Sequence, residues 1–317
     1  MGWIIERAHL DHASRVVAEH ARRTRCVEAP ALGDGVWLKL ECEQDTGSFK
    51  LRGALAAVAA LDERARARGV VTASAGNHGY GLARAGRRLG VPVTVFVAAS
   101  TPAVKRDGIA SAGATLEVVE APGYDAVELR AKAAAEARGL AFVSPFDAPE
   151  IAAGNGGTVG LEVLEDVPGV RTVIAPVGGG GLVAGLAAAR THAGVDFALV
   201  GVQSEACPAM AVSLREGRAR LTYAGEPTLA EGLEGGVGQR TFEIARDALA
   251  RMETVSEAAI ADAMRFAKRE LDLTVEGSAA VGLAWVRAHR DEVDGPVVVV
   301  VSGRNVDPAT LERLLRS

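Results

Sequence analysis

Along nearly the whole chain, short runs of β-branched residues alternate with longer stretches rich in Ala, Leu, Arg and Glu, and glycine and small polar residues crowd the junctions between them. A period of two that keeps giving way to a period near 3.6 is the mark of βα units, so the chain is expected to be α/β, with mostly parallel sheets flanked by helices. Strands are expected at Val36–Leu40, Gly69–Ala73, Pro92–Val97, Thr115–Val119, Leu140–Val143, Thr172–Ala175, Ala198–Val202 and Pro296–Val301. Helices are expected around Leu51–Arg66, Tyr80–Leu89, Tyr124–Ala137, Leu182–His192, Ser256–Glu270, Ser278–His289 and Pro308–Leu315, with Ser256 as an N-cap. With 37 glycines and only 4% aromatic residues, the helices should lie close to the sheets. The stretch Val71–Val143 reads as a β-α-β-α-β-α-β unit able to form its own lobe. The expected partition is therefore a small domain, 71–147, inserted in a large one, 1–70 and 148–317, with a ligand in the cleft at the carboxyl ends of the strands.

Composition narrows the function. A 317-residue chain with 49% apolar and 24% charged residues can bury a large core, which excludes intrinsic disorder. A net charge of -5, from 35 basic and 40 acidic residues, gives no electrostatic attraction for nucleic acid or an anionic membrane. The purely apolar strand run Val297–Val301 is far shorter than the ~18 residues of a membrane span, and Met1–Leu10 lacks an apolar signal core. A soluble cytoplasmic protein is the expectation. Cys26, Cys42 and Cys207 form no CxxC pair, so they are read as free thiols in a reducing compartment, neither a disulfide framework nor a zinc knuckle.

Four junctions carry chemistry. Gly178-Gly179-Gly180-Gly181 follows an apolar run and precedes a helix, so successive N–H groups can converge on an anion at a helix N-terminus. It lacks the Lys-Ser/Thr of a nucleotide P-loop and the spacing of a dinucleotide site, and a monophosphate fits it better than ATP or NAD. Lys50, among Gly47, Ser48, Phe49 and Gly53, opens a helix. Burial there disfavours the ammonium form and makes the amine a nucleophile able to form a Schiff base; a solvated surface lysine is the alternative. Ser74-Ala75-Gly76-Asn77-His78-Gly79 joins a strand to a helix, where its amides can hold a carboxylate and Asn77 can meet a ring oxygen. His78 reads either as a base or as a packing residue. Ser302-Gly303-Arg304-Asn305 closes the last strand, and its hydroxyl reaches the same cleft if both strands share a sheet, or is an ordinary polar strand end.

Taken together these pieces resemble the second fold type of pyridoxal-phosphate enzymes, a two-lobed fold like that of the tryptophan synthase β chain. Within it they resemble the threonine/serine dehydratases and serine racemases. The resemblance rests on Gly47–Ala54, Ser74–Gly79, Pro102 through Lys105 to Gly113-Ala114, Gly154-Asn155-Gly156-Gly157-Thr158, the four glycines and Ser302–Asn305, in that order. It implies that Lys50 carries the cofactor and shuttles the α-proton, that Phe49 lies near the ring, and that Asn77 bonds the ring oxygen. Gly178 to Gly181 would then hold the phosphate and Ser302 would face the pyridine nitrogen. Ser74, Ala75, Gly76, Asn77, His78 and Asn155 are the implied substrate contacts. A hydroxyl at the nitrogen, unlike a carboxylate, does not keep it protonated, which favours elimination over transamination. The implied activity is an ammonia-lyase acting on a small β-hydroxy amino acid such as threonine or serine, in a homodimer.

Departures refine this. Ala75 stands where the racemases have a serine, so racemisation should be minor. Gln203 and Ala209 stand where a divalent ion would find carboxylates, so no divalent metal is expected and a monovalent cation is left open. The sequence stops after the expected helix Pro308–Leu315, so a C-terminal regulatory domain is not expected. Arg304 and Glu234 leave two other substrates open: 3-hydroxyaspartate, paired with Arg304, and a cationic amino acid of hydroxyectoine breakdown, paired with Glu234. A β-replacement synthase of the same fold and a non-catalytic protein sensing an amino acid or the cofactor are the remaining alternatives.

Overall fold

The computed structural model describes residues 4–121 and 123–316; the first three residues of the Met1–Leu10 segment, Pro122 and the terminal Ser317 lie outside the described residues. Among the described residues the strands are β1 (Cys26–Glu28), β2 (Val36–Lys39), β3 (Val70–Ala73), β4 (Val93–Ala98), β5 (Thr115–Val119) and β6 (Ala141–Phe142). They continue with β7 (Thr172–Pro176), β8 (Ala198–Ser204), β9 (Arg251–Val255) and β10 (Val297–Val300). One sheet has the order β1-β2-β10-β7-β8-β9 and the other β5-β4-β3-β6. Every pairing is parallel except β1 with β2. At the centre of the larger sheet, Val299 lies beside Leu38 on one side and Ile174 on the other.

The reason β10 is central is visible in its sequence. Val297, Val299 and Val301 fill one apolar cluster, while Val298 and Val300 fill another, so a period of two divides one valine run between two helix layers. The expected helix over Leu51–Arg66 is broken into Lys50–Ala59 and Glu63–Arg68, because Asp62 accepts the Ala65 N–H at 2.7 Å and starts the second piece. Ser256 caps its helix as expected, accepting from the Ala259 N–H at 3.3 Å. Five α-helices among the described residues were not expected, Arg7–His20, Pro149–Ala152, Thr158–Asp166, Ala209–Glu216 and Gln239–Ala248, whereas Ala103–Ala112 supplies the middle crossover of the β-α-β-α-β-α-β unit.

The smaller sheet is built from the stretch expected as the inserted lobe, with Val70 already inside it, and the larger sheet from the flanks. The apolar core does not divide at the same place. Leu51, Ala54, Leu55 and Val58 of the Lys50–Ala59 helix lie in one cluster with Val70, Leu82 and Val93. The helix carrying Lys50 is therefore packed on the smaller sheet's layer, while the turn that precedes it pairs with the chain leaving β10 of the larger sheet.

Candidate active site

Lys50 is placed by backbone pairing. The Phe49 N–H donates to Ser302 O at 3.2 Å and the Arg304 N–H to Gly47 O at 2.9 Å, so the turn before Lys50 runs along the chain that leaves β10. Gly47 has φ +72, a left-handed conformation, and a Cβ there would lie 2.4 Å from Asn305 Oδ1. The Lys50 ammonium donates to Pro145 O at 3.0 Å and lies 5.2 Å from the centre of the Phe49 ring. Burial pushes its pKa down to about 8, against the opposing pull of Glu276.

Beneath this turn lies an ionic network that sequence reasoning missed. Arg52 is fully buried and grips two carboxylates with paired hydrogen bonds, Glu41 at 2.8 and 2.8 Å and Glu162 at 2.7 and 2.9 Å. Lys39, also fully buried, adds a contact of 2.7 Å to Glu162. Such a cluster defines where the helix begins, since moving any member leaves a buried charge unpaired.

The Gly154-Asn155-Gly156-Gly157 motif forms a π-helical turn, Ala153–Gly157, wedged between two helices. A Cβ on Gly156 would lie 1.9 Å from Leu182 O, one on Gly185 2.1 Å from Ala152 O, and one on Gly154 2.6 Å from the Gly53 Cα. The helix of Lys50 and the helix after the four glycines are thus locked to a common strut at near backbone contact. Asn155 belongs to that strut: its carboxamide oxygen accepts the Gly53 N–H at 2.9 Å and the residue is 1% exposed. Its oxygen holds the first turn of the Lys50 helix, while its Nδ2 has no acceptor among the described residues and stays open to a ligand.

The four glycines lead from β7 into the helix Gly181–Ala193. The N–H groups of Gly178, Gly179 and Gly180 donate to no acceptor among the described residues. Side chains are barred here: a Cβ on Gly179 would lie 2.4 Å from the Phe146 ring, and one on Gly181 2.8 Å from Phe146 O. Pro145 and Phe146 therefore connect the amine of Lys50 to the underside of the glycine loop. The Ser302 residue is 2% exposed and its hydroxyl has no hydrogen-bond partner among the described residues.

On the opposite wall, Ser74, Ala75 and Gly76 precede the helix Asn77–Leu89, with Ser74 Oγ accepting the Gly76 N–H at 3.3 Å. A Cβ on Gly81 of this helix would lie 3.1 Å from the Lys50 and Leu51 backbone, so the two helices meet almost directly. His78 packs inside: its Nε2 lies 3.3 Å from Val143 O, Nδ1 has no partner, and burial followed by the Lys50 charge pushes its pKa down to about 3. It is neutral, 3% exposed, and offers little surface to a substrate. Asn77 donates to Glu276 Oε1 at 2.8 Å. Glu276, whose pKa burial pushes up to about 7, was not foreseen; an acid directly before Gly277-Ser278-Ala279-Ala280 was the available signal.

Free amides at a helix N-terminus, a buried amine with a lowered pKa, an aromatic ring beside it and an unpartnered hydroxyl on the adjoining chain fit a ligand that combines a phosphate, an aldehyde and a planar nitrogen ring. The family model for the pyridoxal-phosphate dependent enzymes matches residues 17–303. The chain belongs to this family. An L-threonine ammonia-lyase of Thermotoga maritima is 38% identical over 311 residues, 96% of this chain and 77% of the relative. Among solved structures, a threonine deaminase of T.th. is 36% identical with a TM-score of 0.85, covering 95% of this chain and 99% of the other. Maize serine racemase is 29% identical with a TM-score of 0.90, covering 99% and 98%. Pyridoxal phosphate is the cofactor, and the fold is the two-lobed α/β one that the junction motifs implied.

Within this pyridoxal-phosphate dependent enzyme, the two side chains left open as substrate selectors are both exposed. Arg304 is exposed and lines a surface cavity of about 610 Å³ with Arg22, Arg23, Arg25, Glu43 and Asp45. Glu234 is also exposed; partial burial, then Glu231, pushes its pKa up, with Lys105 opposing. Gln203 caps the helix Ala209–Glu216, its Oε1 accepting the Met210 and Ala211 N–H groups at 3.0 and 3.1 Å.

Proposed function

We propose that the protein is an ammonia-lyase that eliminates the β-hydroxyl of a small β-hydroxy amino acid of the threonine or serine class as water, leaving an enamine that water hydrolyses to a 2-oxo acid and ammonia. The observation that carries this reading is the pairing of Lys50, its pKa pushed down to about 8, with the neutral hydroxyl of Ser302 on the chain beside it. An amine near that pKa is about one-tenth unprotonated at pH 7, far more than an ordinary lysine, and in that form can take the substrate's α-hydrogen, then return a proton to the departing groups. Pro145 O, 3.0 Å from Nζ, keeps the amine oriented within the cleft. In this reading the free amides of Gly178 to Gly181 hold the phosphate, Phe49 lies against the ring, Asn77 meets the ring oxygen and Ser302 the pyridine nitrogen. The Ser74-Ala75-Gly76 turn holds the substrate carboxylate. Pyridoxal phosphate, when bound, supplies the conjugated ring that accepts the electron pair left by the α-hydrogen. Ser302 carries no charge that would hold the ring nitrogen protonated, which favours loss of the β-hydroxyl over amino-group exchange. Ala75 has no proton to return on the opposite face, which disfavours racemisation. The relatives named for threonine ammonia-lyase and deaminase activity support the same class.

A homodimer in a reducing compartment belongs to this reading. Cys26, Cys42 and Cys207 are free, and burial pushes their thiols up to about 11, 12 and 11, which keeps them unreactive. Sedimentation at about twice the 32.7 kDa chain mass would support the dimer. The substrate test is 2-oxo acid release by protein supplied with pyridoxal phosphate, from L-threonine, L-serine, 3-hydroxyaspartate, 3-phenylserine and a cationic β-hydroxy amino acid. Turnover is expected with L-threonine or L-serine; release confined to 3-hydroxyaspartate or the cationic compound would overturn the substrate class.

A further inference from the structure

Four polar groups behind Asn77 form a chain with both ends fixed. At one end stands Thr46 O, a carbonyl that can only accept; Asn305 Nδ2 donates to it at 2.8 Å. The same Nδ2 lies 2.7 Å from Asn77, so the atom it meets there must be the oxygen, Oδ1. At the other end stands the Asn305 backbone N–H, which can only donate; it is accepted by Glu276 Oε2 at 3.1 Å. Glu276 Oε1 then accepts from Asn77 Nδ2 at 2.8 Å. Turning the Asn77 carboxamide over would set its nitrogen against the Asn305 nitrogen and its oxygen against the carboxylate, losing two hydrogen bonds and adding two repulsions. One N–H of Asn77 is left without a partner among the described residues.

We infer that Glu276 and Asn305 are positioning residues that lock the carboxamide of Asn77 with its nitrogen presented as a donor to the ring oxygen of the bound cofactor. The inference rests on the placement of Asn77 proposed above. Three features beyond the hydrogen bonds support it. Glu276 is 9% exposed and its carboxyl is pressed against the chain after β10, where a Cβ on Gly303 would lie 2.6 Å from Oε1, so it has little room to choose another partner. Asn305 is fixed to the turn before Lys50, since a Cβ on Gly47 would lie 2.4 Å from its Oδ1. The chain also joins the two sheets' layers, because Asn77 opens the helix after β3 while Glu276 and Asn305 flank β10. Above about pH 7, where Glu276 is ionised, its carboxylate holds an amide donor more firmly than a neutral acceptor does.

The test is a double-mutant cycle on the cofactor-free protein titrated with pyridoxal phosphate, reading the dissociation constant and the position of the cofactor's absorption band. Glu276→Gln is expected to weaken binding about tenfold and to shift the band. In an Asn77→Ala background the same substitution is expected to change neither readout by more than about twofold, because its effect passes through Asn77. Asn305→Asp replaces the donor that faces Thr46 O and Asn77 Oδ1 by a carboxylate oxygen, and is expected to give the same pattern; it serves if Glu276→Gln fails to fold, which the melting of the cofactor-free protein reports. An effect of Glu276→Gln or Asn305→Asp that persists undiminished without Asn77, or no effect with Asn77 present, overturns the inference. Cofactor capture without turnover of any β-hydroxy amino acid would sink the functional reading and leave the cycle readable, so the two failures are distinct.

Discussion

Lys50 and Glu276 bring a buried amine and a buried carboxyl to one cleft, and burial moves their pKa values toward each other, down to about 8 and up to about 7. Each shift has a sign in stability. From about pH 4.5 to about 7 folded Glu276 keeps a proton that the unfolded chain has released, so stability falls as pH rises and stays lower above that range. From about pH 8 to 10.5 the unfolded chain keeps a proton that folded Lys50 has lost, so stability recovers as pH rises. In denaturant midpoints of the cofactor-free protein each limb is read as a difference between wild type and variant, because His78, pushed down to about 3, opposes the Glu276 fall up to about pH 6.5 and the raised thiols oppose the Lys50 rise above about pH 9. Glu276→Gln should flatten the fall between about pH 4.5 and 7, and Lys50→Ala the rise above about 8; limbs unchanged by these substitutions would show that other groups carry them. At this scale the meeting of the Lys50 turn, the Asn77 helix and the Ser302 chain was legible because small residues at strand ends leave few readings for a lone polar group. Glu276 was not legible, since one acid before a helix looks like any helix start until burial and its partners are seen. The strut role of Asn155 was hidden for the opposite reason: a motif residue near the cofactor loop reads only as a ligand until its oxygen is found on the Gly53 N–H.

The site is held by helices meeting at glycine. Because a Cβ on Gly156 would lie 1.9 Å from Leu182 O, Gly156→Ala must push apart the strut and the helix that follows the glycine loop. The expected cost is about 3 kcal/mol of stability, with weakened cofactor binding. Gly108 lies in the exposed face of the helix Ala103–Ala112 with nothing within 4 Å of a Cβ, so Gly108→Ala is expected to stabilise by about 0.5–1 kcal/mol. Chemical denaturation of the two variants checks both signs, and a neutral Gly156→Ala would contradict the tight crossing. The strands at the core of each sheet were readable from their β-branched runs, as β10 shows. Two edge strands were not: β1 has three residues, and β9 spells Arg-Met-Glu-Thr-Val, with no apolar run because one side is open to solvent. The break between Lys50–Ala59 and Glu63–Arg68 was hidden because Asp62 reads as another polar helix residue unless its cap to Ala65 is known.

At the scale of the whole molecule, two parallel sheets hold opposite walls of one cleft. Backbone pairing brings the turn before Lys50 to the end of β10, Gly81 brings the Asn77 helix against Lys50, and Lys105 reaches Glu231 at 2.6 Å between the two halves. That last pair is exposed enough that its contribution to stability is small. No helix among the described residues is long and apolar enough to cross a membrane. The order of the glycine-rich junctions conveyed this architecture, because each marks the carboxyl end of a parallel strand facing the cleft; the location of the apolar core on both sides of the 70/71 boundary required the fold itself. The central claim, that this cleft eliminates water from a β-hydroxy amino acid through Lys50 and so yields, after hydrolysis, a 2-oxo acid and ammonia, is tested most directly by one comparison. Wild-type protein and Lys50→Ala, each supplied with pyridoxal phosphate, are given L-threonine, and 2-oxobutanoate and ammonia are measured together. The account expects the two products in equal amounts from the wild type and a loss of at least about a thousandfold in the variant. Equal turnover by the two proteins would contradict it.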